Sequence, residues 1–166
     1  MGGLLMDVAS DDYYRMRVVT TILGGYFGSR LMKSIREDKG YTYSISADML
    51  TNTRQVLFVV SSEALADKGE VIADEVRQHC RRLAEERVPD DELTMVRNYM
   101  IGEICRNYEG AFSLIDAYIY IHTLGLPLEH ISRTIDTVRS IDAETIRRTA
   151  AQWLDADRFH TVIVAP

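Results

Sequence analysis

The chain has 166 residues, of which 46% are apolar and 27% charged, and a formal net charge of −6. That composition suits a folded globular domain with a sizeable core. The acidic balance is spread along the chain and argues against a general nucleic-acid binder, which needs a basic face. No apolar run approaches the ~18 residues of a membrane-spanning helix.

In chain order, Gly2 to Val8 reads as a short apolar strand. Asp11-Asp12 caps a helix running to about Leu23, with Met16, Val19, Thr20 and Leu23 on one face. Gly24-Gly25 ends or bends it. A second helical piece spans Ser29 to about Glu37, with Ser29 as N-cap and Leu31 and Ile35 inward. Gly40 supplies the positive φ that stops it. Tyr41 to Met49 and Gln55 to Ser61 read as strands joined by a hairpin loop at Thr51-Asn52-Thr53. A long amphipathic helix follows from about Asp67 to Glu86, and its Arg77–Arg87 run, interleaved with acids, reads as a solvated face. Pro89 starts another helix, to about Tyr108, with acids suited to its first turn. Gly110 to Leu124 and Pro127 to about Val138 are helical, and Asp142 caps a last helix to Leu154. Phe159 to Val164 reads as a closing strand. The direct hairpin followed by a block of helices predicts a single α+β domain, an antiparallel sheet with helices packed on one face.

The chemistry-bearing residues are sparse. None of His79, His122, His130 and His160 pairs at i, i+4 around a carboxylate, so no zinc motif is present. Glu129-His130 ends like an inverted motif, but Leu126 stands where the first ligand belongs. Cys80 and Cys105 read as buried free thiols. No Gly-x-Ser-x-Gly elbow occurs. The glycine-dense Gly24–Ser29 stretch lacks the Gly-Lys of a phosphate loop and reads as a helix–helix corner. Arg36 and Tyr43 remain. They lie seven residues apart across a helix end, a glycine turn and a strand start, and offer a planar fork of donors and a hydroxyl. Read alone, Arg36 would pair with a surface acid and Tyr43 would pack under the sheet.

The run Ile22-Leu23-Gly24-Gly25-Tyr26-Phe27-Gly28-Ser29-Arg30-Leu31-Met32-Lys33-Ser34-Ile35-Arg36-Glu37-Asp38-Lys39-Gly40-Tyr41-Thr42-Tyr43-Ser44-Ile45 resembles the signature of the C-terminal half-domain of pitrilysin/insulinase zinc metallopeptidases, the fold of mitochondrial processing peptidase. The resemblance is strong over Ile22–Ile45 and looser elsewhere. It implies two homologous α+β halves around an enclosed chamber, with the zinc held by His-x-x-Glu-His and a distant Glu of the other half. This half would carry no catalytic residue and no metal. Arg36 and Tyr43 match the pair that reaches an extended peptide substrate, and Gly24, Gly25, Ser29, Arg30 and Gly40 match signature positions that build the corner.

The partner implied is therefore an N-terminal catalytic half or subunit, and a half without it is expected to expose an interface and to self-associate, for instance as a homodimer. Two other readings stay open. One is a subunit of a catalytically dead pseudo-peptidase with a structural or peptide-binding role. The other is an unrelated α+β binding module.

Overall fold

The computed structural model describes residues 1–52, 55–65 and 67–164. Three strands, β1 (Gly2–Leu4), β2 (Thr42–Thr51) and β3 (Val56–Ala64), form an antiparallel sheet in the order β1-β3-β2. Alternation sets its two faces. Ile45 and Ala47 of β2 and Val56, Phe58 and Val60 of β3 are buried. On the opposite face, Leu4, Leu57 and Leu50 pair in register across all three strands and stay exposed. The expected α+β arrangement is the one observed, with helices against one face of the sheet.

The helices are α1 (Asp11–Gly24), a π-helical segment (Met32–Asp38), α2 (Gly69–Glu85), α3 (Asp90–Asn107), α4 (Ala111–Thr123), α5 (His130–Ser140) and α6 (Ala143–Trp153), followed by a 3-10 turn at Ala156–Arg158. α1 lies against β2 and is flanked by α5 and α6, and α6 also packs on α2. The interior is continuous: Met16, Ile22 and Leu23 of α1, Leu31, Ile35, Phe58, Leu83 of α2 and Ile146 of α6 are all fully buried. Burying side chains of this size contributes about 1.5–3 kcal/mol each relative to exposure. Caps fix several helix starts. The Ser10 hydroxyl accepts from Asp12 N at 3.2 Å, and Asp142 Oδ1 accepts from Thr145 N at 2.7 Å. Ser10 is thus the N-cap of α1, and Asp11-Asp12 form its first turn instead.

Several expectations are corrected. The first strand is three residues long, not seven. The closing strand does not form: Ala156–Arg158 is a 3-10 turn, and only His160 pairs, its N and O bonding Gly2 at 2.9 Å each. Val162 and Val164 stay exposed. The piece expected as a helix from Ser29 winds with π geometry over Met32–Asp38, and Ser29 Oγ is buried without a hydrogen-bond partner instead of capping it. Cys80 is buried, and burial pushes its thiol up to about 12, whereas Cys105 is exposed. In the hairpin loop, Asn52 N bonds Gln55 O at 2.9 Å, while Thr53 lies outside the described residues.

Candidate functional site

The corner between α1 and β2 gathers the signature residues. Gly24 closes α1 against β2: a Cβ there would sit 2.6 Å from Ala47 N and 2.7 Å from Ala47 Cβ. Only a residue without a side chain allows this approach. The turn that follows carries Phe27 outward, while Tyr26 packs on Tyr99 at the edge of the core, before Leu31 and Ile35 return to the interior. Arg30 donates from Nε and an Nη to the two carboxylate oxygens of Glu92, 2.8 Å each, a bidentate pair tying the corner to the first turn of α3. Lys39 pairs with Glu75 of α2. Gly40 has φ +64, which ends the π-helical segment and turns the chain into β2.

β2 opens on an irregularity. Thr42 pairs with Ala64 and Ser44 pairs with Glu63, so Tyr43 is an extra residue without a register partner. The Thr42 hydroxyl pins this bulge. It lies 2.7 Å from Ser44 O and 2.5 Å from Glu63 O, and it accepts from Ser62 Oγ at 2.9 Å. Bulges bend a strand and re-aim a side chain, often beside functional sites. Here Tyr43 is 83% exposed.

Arg36, half-buried on the π-helical segment, meets that ring. Its guanidinium carbon lies 5.4 Å from the centre of Tyr43 and 4.7 Å from the centre of Phe27, which is itself 65% exposed. Both contacts are within cation–π range, worth about 0.5–1 kcal/mol each at exposed sites. The two residues singled out by sequence are therefore adjacent. Neither does what it would do as an isolated surface residue: Arg36 forms no ion pair among the described residues, and Tyr43 does not pack under the sheet. Phe27 was not singled out from sequence; the signal available was a large aromatic in a glycine-rich corner. Phe27 and Tyr43 line a groove of about 700 Å³ together with Gly24, Ser44, Ser46 and Ser61.

The histidines lie elsewhere. His130 is buried, with Nδ1 3.2 Å from Tyr14 Oη, and burial followed by the Arg17 and Arg133 charges lowers its pKa to about 4. His79 is also buried and its pKa is lowered, by burial first and then by Arg82. His122 is exposed and stacked on Tyr118. Among the described residues no group of three or more His, Cys, Asp or Glu side chains could hold a metal ion, so this chain's donor set does not fit a zinc. What the site offers is donors: an oriented guanidinium, a phenol and a row of serine hydroxyls.

Comparison with known proteins bears on the family. The sequence model of the family described as the peptidase M16 inactive domain matches residues 4–100. An uncharacterized zinc protease from Bacillus subtilis (strain 168) is 19% identical over 161 residues, covering 97% of this chain and 39% of that protein. A non-peptidase homolog from Helicobacter pylori (strain ATCC 700392 / 26695) is 27% identical over 139 residues, covering 81% of this chain and 31% of that protein. In structure, the chain is similar to the peptidase M16 inactive domain from Pseudomonas fluorescens, with TM-score 0.83 and 20% identity over 95% of this chain and 38% of that one. The chain thus spans about two-fifths or less of the length of these relatives.

Proposed function

The chain belongs to the peptidase M16 inactive-domain family, and from that premise we propose that it is the C-terminal, substrate-binding half of a zinc-dependent peptidase, working with a separate half that carries the metal and the general base. The observation that supports this most is the contact of Arg36 with Tyr43, a residue lining an exposed groove, while no group among the described residues could hold a metal ion. Arg36 and Tyr43 donate hydrogen bonds to the backbone of an extended peptide near the other half's metal. Such donors stabilise charge that develops on a carbonyl oxygen, provided they are oriented beforehand. The bulge at Tyr43 and the ring contacts on Arg36 provide that orientation.

Exposed apolar surface supports a missing partner half. α4 exposes Phe112, Ile115 and Ile119 on one stripe and Leu114 and Tyr118 beside it, and of its residues only Ile121 is buried. A helix apolar all round is normally covered. The row Leu4–Leu57–Leu50 on the open sheet face adds a second uncovered patch. Without its partner half, the chain uses these patches to self-associate.

The test is reconstitution. This chain is mixed with the catalytic half encoded with it, and hydrolysis of a quenched fluorescent peptide is followed for wild type, Arg36→Ala and Tyr43→Phe. Activity that appears on mixing and falls about ten-fold or more in either variant, about 1.4 kcal/mol of transition-state stabilisation, supports the donor role. Variants that match wild type refute it. A second reading, a pseudo-peptidase subunit with a structural or peptide-binding role, is favoured by the relative named a non-peptidase homolog. It predicts a partner that binds but lacks His-x-x-Glu-His, and no hydrolysis on mixing.

A further inference from the structure

Arg36 differs from the ion-paired arginines of the surface. Arg30, Arg77, Arg81, Arg133 and Arg147 each reach a carboxylate. Arg36 meets only the two rings, and its N–H groups reach no acceptor among the described residues. A guanidinium held between two rings has already lost part of the side-chain freedom it would otherwise give up on binding, which favours affinity. Its natural complement is a pair of oxygens in one plane, the bidentate carboxylate geometry, and such charge-assisted bonds are about twice as strong as neutral ones.

Arg36 touches the Phe27 and Tyr43 rings that border the groove, and the groove itself carries little charge. Its polar wall is made of the neutral hydroxyls of Ser44, Ser46, Ser61 and Ser62, with Glu63 as the one acid lining it. Glu63 disfavours a strongly acidic peptide but leaves room for a single carboxylate at the clamp. We propose that Phe27, Arg36 and Tyr43 form an aromatic-clamped receptor for one carboxylate of a bound peptide, with Phe27 as the positioning residue that holds the Arg36 guanidinium in place. This rests on the substrate-binding reading above, that this face holds a peptide, and refines it: the Arg36 fork takes a carboxylate of that peptide, and Phe27 joins the site as a third residue.

The experiment measures binding of three pentapeptides of neutral side chains, each with an uncharged dye at the N-terminus, by fluorescence anisotropy on the full chain. One ends in a free carboxylate, one in an amide, and one in an amide but with a single internal Glu. The expected result is that the free-acid peptide or the Glu peptide binds about ten-fold or more tightly than the plain amide. Which of the two does so identifies the carboxylate as terminal or side-chain. That preference disappears in Arg36→Gln, shrinks about two- to five-fold in Phe27→Leu, and is retained in Phe27→Trp, which keeps a ring face. Far-ultraviolet circular dichroism shows that each variant is folded. Equal binding of all three peptides, a preference that survives Arg36→Gln, or no binding of either charged peptide at about 1 mM overturns the proposal. Failure here is separable from failure of the parent reading: if peptides bind alike but Arg36→Ala still lowers reconstituted hydrolysis, Arg36 serves a carbonyl and only the carboxylate assignment falls.

Discussion

Acidification from pH 7 to pH 5 is expected to destabilise this chain through His130. The side chain is 1% exposed, lies against the rings of Tyr13, Tyr14 and Tyr120, and so ties α5 to α1 and α4. Burial and the nearby Arg17 and Arg133 charges lower its pKa from 6.5 to about 4. Between those values the unfolded chain binds the proton and the folded chain does not, so stability rises with pH through this window. The contribution is fully present above pH 6.5 and is lost as pH falls toward about 4. At pH 5 the full shift corresponds to about 2 kcal/mol, and solvent screening around the ring reduces this to roughly 1–2 kcal/mol. His79 shifts in the same direction, so the assay must isolate one ring. Urea unfolding at both pH values is compared for wild type and His130→Gln, with the pH-induced loss about 1–2 kcal/mol smaller in the variant. An equal pH dependence in the two proteins, or an NMR titration of His130 near its ordinary value, refutes the reasoning.

Other perturbations test the scaffold beneath the site. Gly24→Ala drives a Cβ into Ala47 N and Cβ, 2.6 and 2.7 Å away; overpacking of this kind costs about 1–3 kcal/mol and outweighs the alanine's helix preference, so the urea midpoint falls, where a clash-free site would show a rise. Glu92→Gln leaves the Arg30 guanidinium, 17% exposed, without its anionic partner and is expected to cost about 1–3 kcal/mol in equilibrium unfolding, with salt reducing the difference. Phe58→Ala, at the centre of the buried sheet face, is expected to cost about 3–5 kcal/mol. Replacing Phe112 and Ile119 of α4 by Ser removes exposed apolar surface, so sedimentation shows less self-association, and unchanged association moves that contact to another face.

Where the determinants were local, the sequence could be read well. Asp142 caps its helix with a bond to Thr145 N, and Gly40 takes the positive φ expected of it. The alternation along β2 and β3 marks the buried face because one side of a sheet must hide its side chains. Where the outcome depended on a distant partner, it could not. Phe159 to Val164 has the side chains of a strand but forms only the isolated bridge of His160 with Gly2. Cys105 follows Ile104 by one residue, a 100° step that takes it off the buried stripe of Leu93, Val96, Met100 and Ile104. The spacing of Leu31 and Ile35 puts both in the core without deciding between α and π winding.

The site divides along the same line. Arg36 and Tyr43 were identifiable because a seven-residue spacing matched a known signature, yet what brings them together is not in that spacing. The bulge that frees Tyr43 arises from a one-residue mismatch between β2 and β3, and it is held by Thr42 and Ser62. Phe27 reaches Arg36 because Gly24 and the turn after it swing the corner back over the π-helical segment. These contacts also bear on the rival readings. A stand-alone binding module gains by burying aromatics such as Phe27, Tyr43 and Phe112, which are 65%, 83% and 86% exposed. Together with an arginine whose donors reach no acceptor among the described residues, that exposure supports the proposed reading, in which this surface is completed by another molecule.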